Sequence, residues 1–288
     1  MGTTQSNETL LCNEPRDDGV RYFSRFENRP FAYGACRYAY KGTLACVQSS
    51  RHKARYNGSS IVVKVFKKGL AKDYGAWNAD VSASKEAHEY ATLFNAKRFI
   101  ERSLYFPIPY VAKMDKRAGS WFLGFIGGED DMSTNPVGSM EYVAMEEYIS
   151  GNYIKFNSNN GYVNDAVNSS TMPAFSHWTF HHSNGELLVC DLQGVLNGKN
   201  YRLTDPAIHS TTAKRYGLTD LGIAGQASFF KTHKCNNICR RWKKIRLTNE
   251  LNQEVNKIQS SAHTTFSFQV PNIKTNKSQF NYIPIIEE

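Results

Sequence analysis

The chain has no run of eighteen or more consecutive apolar residues, which argues against a transmembrane helix. Residues 1–20 are polar, so nothing there reads as a secretory signal. Cysteine is sparse, six in 288 residues, with Cys12, Cys36, Cys46 and Cys190 standing apart and only Cys235 and Cys239 close together. Such spacing excludes a disulfide-stapled scaffold and predicts a reducing, cytoplasmic setting, with the close pair read as metal ligands. No internal repeat is visible. Locally the scarcest commodity is negative charge: residues 221–249 hold no Asp or Glu, while Lys231, Lys234, Arg240, Arg241, Lys243, Lys244 and Arg246 crowd together. That segment suits phosphates, acidic protein segments or an anionic membrane surface, and equally suits a solvated face that balances metal thiolates. Nucleic acid is not expected as a partner, because only Trp242 interleaves with the basic residues.

What is present is a chain 41% hydrophobic and long enough to bury one large core or two lobes. Residues 1–20 lack periodicity and predict a disordered arm. The arm opens Met1-Gly2-Thr3-Thr4-Gln5-Ser6, which fits the N-myristoylation pattern on Gly2 and makes membrane association an expectation. A single acyl chain anchors only marginally without help from a basic patch such as 231–246.

Residues 31–42 predict a strand–turn–strand with Gly34 near the turn, an ordinary hairpin or a fold over phosphates with Arg37 pointing in. Residues 61–66, IVVKVF, place Lys64 inside a β-branched run. A lysine there needs an anion unless it lies on an edge strand facing water. From residue 80 to 102, Ala83, Ala87, Tyr90, Ala91 and Phe94 recur at helical spacing, with Glu86 and Glu89 alongside as candidate partners for Lys64. Residues 127–131 predict an exposed turn, and 142–149 an apolar strand leading through Gly151 to a hinge between two lobes. Residues 180–185, FHHSNG, predict a hairpin turn. Asp220 is a candidate N-cap, and Gly222 and Gly225 would admit a ligand anion at a helix start.

Two patterns carry chemistry. Residues 187–206, LLVCDLQGVLNGKNYRLTDP, read as a buried strand ending in Asp191, with Gln193 and Gly194 following and Asp205 beyond. Hard oxygen ligands at a strand end suit Mg²⁺ held with a nucleotide's phosphates, although two loop aspartates capping turns give the same letters. His233-Lys-Cys235-Asn-Asn-Ile-Cys239 supplies three soft ligands within seven residues. A tetrahedral Zn²⁺ site needs a fourth, from His177, His209 or Cys190 on sequence alone. Beyond it, a polar helical stretch runs to about residue 260, and residues 264–270 read as β-like.

From residue 31 to 239 the chain resembles the alpha-kinase catalytic domain, the atypical protein kinases that include myosin heavy chain kinases and elongation-factor-2 kinase. The resemblance rests on LLVCDLQGV at 187–195, LTDP at 203–206 and FFKTHKCNNIC at 229–239, supported by PFAYGACRYAY at 30–40, VVKV at 62–65 and EEYISGNYIKFN at 146–157. It implies an α+β, two-lobed atypical protein kinase fold with a structural zinc site in the C-terminal lobe. The catalytic domain would span 21–246, with an N-lobe to about 145 and a C-lobe from about 150, followed by an extension over 247–288. ATP would bind with Lys64 and Arg37 near its phosphates, Glu146 at the hinge that holds adenine, and Lys155 close by. Asp191 would be the base, and Gln193 and Asp205 the magnesium ligands. For zinc, the resemblance selects His177 with His233, Cys235 and Cys239. The implied activity is ATP-dependent phosphorylation of a protein substrate on Ser or Thr. The alternative is a zinc-stabilised pseudokinase acting as a binding or scaffold module.

Overall fold

In a computed structural model, the structure describes residues 7–34, 36–67, 70, 73–115, 137–138, 140–167 and 169–261. The Gly2 acylation pattern, the 127–131 turn and the β-like 264–270 stretch lie outside the described residues. Along the chain run β1 Asn7–Glu8, β2 Tyr22–Phe26, β3 Ala32–Tyr33, β4 Arg37–Cys46, β5 Ser60–Phe66, α1 Tyr74–Ala96, β6 Ser103–Tyr105, β7 Tyr110–Lys113 and β8 Tyr142–Glu147. They continue as β9 Tyr153–Lys155, α2 Thr171–His182, β10 Leu187–Cys190, β11 Gln193–Asn197, β12 Asn200–Thr204, β13 Ala207–Ser210, α3 Gly222–Thr232 and α4 Asn249–Ser261. No helix among the described residues is long and apolar enough to cross a membrane. Two compact units divide the chain, one of residues 7–78 and 109–148, the other of 79–108 and 149–261.

The first unit is a seven-stranded sheet in the order β1-β2-β4-β5-β8-β7, with β3 also paired to β4, all antiparallel. Strict alternation on β5 sends Ile61, Val63 and Val65 into one core with Phe26, Tyr40, Leu44 and Met145. Its other face is left to Val62, Lys64 and Phe66. β5 lies between β4 and β8, so Lys64 is on a central strand and the edge-strand reading is excluded. Gly34 closes the predicted hairpin, its N–H donating to the Arg37 carbonyl at 2.9 Å. The expected disordered arm does not hold from Asn7 onward: Asn7–Glu8 pair with β2, and Cys12 and Val20 are core residues. Short apolar anchors in an otherwise polar segment left no periodicity to read.

In the second unit, a four-stranded sheet runs β6-β12-β11-β9 and a two-stranded ribbon joins β10 to β13. Its main core brings Ala87, Tyr90 and Phe94 of α1 against Phe175 and Trp178 of α2 and Val189 of β10. The helix predicted over 80–102 thus exists but is shifted, ending at Ala96 before Arg98 takes a φ of +54°.

The stretch expected to be a hairpin at 180–185 is instead the end of α2. Pro173 in the first turn costs nothing there, and buried side chains face every direction, including Met172, Phe175, His177, Trp178 and Phe180. The stop is Asn184 at φ +55° and Gly185 at +90°, the left-handed pair that ends helices. Four letters, HHSN, had suggested a turn, whereas tertiary burial of the apolar residues before them extends the helix through His182. The polar stretch after Arg246 forms α4, entered by Thr248 accepting from the Leu251 N–H at 3.3 Å. α4 buries Val255 and meets α3 through Gln259 and Ser228 at 3.3 Å.

Candidate active site and metal centre

In the first unit, register places Arg37 opposite Phe66, Ala39 opposite Lys64 and Glu146 opposite Val62. Cross-strand partners share a face, and so do residues two apart. Arg37, Lys64 and Glu146 therefore project from one face of the sheet. Lys64 is 7% and Glu146 8% exposed, and the ammonium forms an ion pair with the Glu146 Oε1. The candidates named for that role, Glu86 and Glu89, are elsewhere: Glu86 accepts from the Tyr216 hydroxyl at 3.3 Å and Glu89 is exposed. Topology supplies the partner, because β8 lies directly beside β5.

In the second unit, β10 and β13 pair with Cys190 opposite Ala207, and β11 and β12 with Gln193 opposite Thr204. The register is continuous across the gap. Residues 187–210 are thus one long hairpin, interrupted on both strands at Asp191-Leu192 and at Asp205-Pro206. Asp191 has φ +56° and Asp205 φ +52°. The two carboxylates stand at facing breaks, where each strand leaves the ribbon and enters the next sheet. Aspartate is among the few side chains that tolerate this backbone region. Gly194 follows because nothing larger fits: a Cβ there would lie 2.1 Å from the Arg202 carbonyl oxygen and 2.8 Å from the Leu203 Cα. Gly194→Ala is expected to destabilise the protein by on the order of 3 kcal/mol. Thermal melting checks this, and an unchanged Tm would contradict it.

The register also puts Lys155 opposite Gln193. The Lys155 ammonium meets the Asp191 Oδ1 at 2.8 Å, and the Gln193 Nε2 donates to the Asp191 Oδ2 at 3.2 Å. Gln193 is 2% exposed, and its Oε1 is buried with no hydrogen-bond partner among the described residues. A buried acceptor without a donor costs free energy unless a cation or donor meets it. A carboxamide oxygen with aspartates at its strand ends is a hard-oxygen set that fits Mg²⁺.

Sequence reasoning missed Asn157 at this site. Its Oδ1 accepts from the Leu192 N–H at 2.7 Å, and its Nδ2 donates to the Ser176 Oγ at 3.2 Å. The Leu192 carbonyl in turn accepts from the Phe156 N–H at 2.8 Å. The break beside Asp191 is therefore clamped on both sides of Leu192, and tied to the residue preceding His177. The asparagine ends the motif EEYISGNYIKFN, but no letter there says what it holds. Its role follows from burial, which a sequence does not show.

His177, His233, Cys235 and Cys239 converge, their ligand atoms all within 4.8 Å of one another. His177 Nδ1 lies 3.1 Å from His233 Nε2, and the two cysteine sulfurs lie 3.4 and 3.5 Å from that same His233 nitrogen. Ligands at tetrahedral zinc would stand about 3.3 Å apart for nitrogen pairs and about 3.6 Å for nitrogen–sulfur pairs, given the usual bond lengths. His177 Nε2 donates to the Lys243 carbonyl at 2.9 Å, which leaves Nδ1 with its lone pair facing the cluster. Burial lowers both histidines to about 4, keeping them neutral, and pushes the Cys239 thiol up to about 11, so its thiolate needs a neighbouring cation. The donor set fits Zn²⁺.

The other two candidates for fourth ligand are excluded. Cys190 packs in the apolar cluster of Phe180, Leu188, Ala207 and Phe229 and is not among the converging ligands. His209 spends both nitrogens on backbone, donating to the Asn159 carbonyl at 2.7 Å and accepting from the Leu221 N–H at 3.1 Å. The glycines of α3 serve packing rather than an anion. A Cβ on Gly225 would sit 2.6 Å from the His209 ring, and Gly222 has φ +67° against Ala213. Leu221 is the N-cap; Asp220, one residue earlier, accepts from the Gly222 N–H at 2.9 Å and from Ser210.

Comparison with known proteins decides the family. The alpha-kinase family model matches residues 32–239. The chain belongs to the alpha-kinase family. It is 33% identical over 217 residues to alpha-protein kinase vwkA of Dictyostelium discoideum, covering 74% of this chain and 30% of that protein. It is 50% identical over 95 residues to human eukaryotic elongation factor 2 kinase, covering 33% of this chain and 13% of the relative. The chain thus spans under a third of the length of these curated relatives. Among solved structures, the inactive alpha-kinase domain of myosin heavy chain kinase A in complex with ATP superposes with TM-score 0.64 at 25% identity, covering 85% of this chain and all of that one. An alpha-kinase from Entamoeba histolytica gives TM-score 0.65 at 24% identity, covering 85% and 95%. The α+β alpha-kinase fold implied by the sequence motifs is the one observed.

Proposed function

We propose that this alpha-kinase is an ATP-dependent protein kinase that transfers the γ-phosphate to a serine or threonine hydroxyl of a protein substrate. The observation that carries the proposal is the broken hairpin, which presents Asp191 and Asp205 at facing gaps beside the buried Gln193 Oε1, an acceptor with no donor among the described residues. The named kinase relatives, one of them solved with ATP, support the same reading.

Phosphoryl transfer asks mainly for positioning and charge neutralisation. Asp191, ionised beside Lys155, is an acceptor only, so it orients the substrate hydroxyl and takes its proton. The hydroxyl oxygen bonds to the γ-phosphorus as the bond to the ADP oxygen breaks. Gln193 Oε1 and Asp205 would hold Mg²⁺, which when bound offsets phosphate charge. Lys64, fixed by Glu146, and Arg37 supply cations on the sheet face where the ATP phosphates would bind. His177, His233, Cys235 and Cys239 would hold Zn²⁺ with all four positions filled, a structural site that contributes folding free energy. A binding-only scaffold is not favoured, because every one of these groups is present in a chain whose relatives are named kinases.

The test is transfer of labelled phosphate from MgATP to a basic carrier protein. Removing Lys64 alone would leave Glu146 buried without it, at about 3–5 kcal/mol. The variant to use is therefore Lys64→Met together with Glu146→Gln. Activity should fall by on the order of a hundredfold or more; equal transfer by this variant and wild type would overturn the proposal. Asn157→Ala should lower kcat by about tenfold to a hundredfold through a loosened break, leaving the KM for ATP nearly unchanged. Steady-state kinetics check this, and a rise in KM at constant kcat would contradict it.

A further inference from the structure

The net charge of +9 is concentrated. Residues 231–246 hold seven cations and no acid, so the remaining 272 residues share a net charge of only +2. The zinc site does not absorb that excess, since two thiolates and one divalent ion sum to zero. Arg240, Arg241, Lys243, Lys244 and Arg246 are all exposed, and none of them forms an ion pair among the described residues. The Lys243 ammonium donates to the Asn184 carbonyl and to its side-chain oxygen, both neutral acceptors.

The apolar residues of this segment point the other way. Trp242 packs on Phe99, His177 and His181, with ring centroids 5.4, 5.7 and 5.9 Å away. Ile245 packs against the cluster around Phe180 and Phe229. With the one tryptophan turned inward, the surface has no ring on which a nucleotide base would stack. It equally lacks the aromatic anchor on which a specific protein interface is centred. The segment forms no strand among the described residues, so it offers no edge for a peptide to extend. What it presents is unspent positive charge on a segment pinned at the zinc ligands Cys235 and Cys239.

We propose that residues 240–246 form an electrostatic docking surface for anionic phospholipid membranes, an interaction separate from phosphotransfer. A diffuse array of cations without apolar anchors matches a fluid sheet of headgroups, which arranges its own charges around them. Binding of this kind needs no acyl chain, and acylation at Gly2 would add to it.

Sedimentation of the zinc-loaded full chain, unacylated, with vesicles tests the proposal. The chain should pellet with phosphatidylserine–phosphatidylcholine vesicles at low salt, release at 1 M salt, and ignore pure phosphatidylcholine. Arg240→Gln, Arg241→Gln and Lys244→Gln together should weaken partitioning by on the order of a hundredfold, with zinc content unchanged. Arg29→Gln, Arg51→Gln and Lys53→Gln remove the same charge from exposed positions of the other unit, and should leave binding within about twofold. Equal loss in the two triple variants would reduce the effect to net charge and overturn the proposal. So would equal binding to neutral vesicles, no binding to anionic ones, or tighter binding to a short RNA duplex than to anionic vesicles at physiological salt.

Discussion

Asp191→Asn is expected to cut phosphotransfer by about 10²–10⁴-fold, the usual worth of a positioned base, while ATP binding changes by only a few-fold. Asparagine is the informative replacement for two reasons. It tolerates the left-handed backbone that residue 191 adopts at φ +56°, and its carboxamide can still accept from the Gln193 Nε2. What it loses is the negative charge that pairs with Lys155 and accepts the hydroxyl proton. Alanine would add backbone strain to the chemical loss and confuse the two. Nucleotide titration followed by single-turnover transfer separates binding from chemistry. A variant that binds ATP normally and transfers phosphate at the wild-type rate would remove Asp191 from the mechanism.

Cys239→Ser should be as severe, but for stability rather than chemistry. Structural zinc contributes on the order of 10–16 kcal/mol in small zinc-dependent folds, against a net stability of about 5–15 kcal/mol for a typical protein. Cys239 is wholly buried, and the Asn236 N–H donates to its sulfur at 3.4 Å. The cluster also ties α2 to the end of α3 and, through the Lys243 carbonyl, to the basic segment. Loss of zinc, by mutation or by a strong chelator, should therefore melt the second unit, with release of zinc and a large fall in Tm. Metal analysis alongside calorimetry checks both. Full zinc content with an unchanged Tm in Cys239→Ser would contradict the assignment.

The parts of this molecule legible in its sequence are those in which chemistry is written in consecutive letters. IVVKVF announced a strand with a lysine that needed an anion, and HKCNNIC announced soft ligands. Neither could name its partner, because partners come from topology. Lys64 finds Glu146 only because β8 lies beside β5, 82 residues later in the chain. His209 and His177 are equivalent as letters; one is consumed by two backbone bonds, while the other keeps a nitrogen facing the cluster. The glycines at 222 and 225 suggested an anion site and instead accommodate neighbouring side chains. Asn157 closes the quoted motif EEYISGNYIKFN, yet its role stayed hidden, since a buried amide clamping a strand break is recognised only once the break is seen. The break itself was half legible. DLQG and LTDP were visible as motifs, but their facing positions in one hairpin depend on a register that spacing alone does not give.

The most direct test of the kinase assignment is phosphoamino-acid analysis after incubation of the purified chain with γ-labelled ATP, Mg²⁺ and a carrier protein. The account predicts label on phosphothreonine or phosphoserine of the carrier, dependent on Mg²⁺ and nearly absent in Asp191→Asn. Label that fails to reach any hydroxyl residue, or that reaches it equally with and without the Asp191 carboxylate, would contradict it.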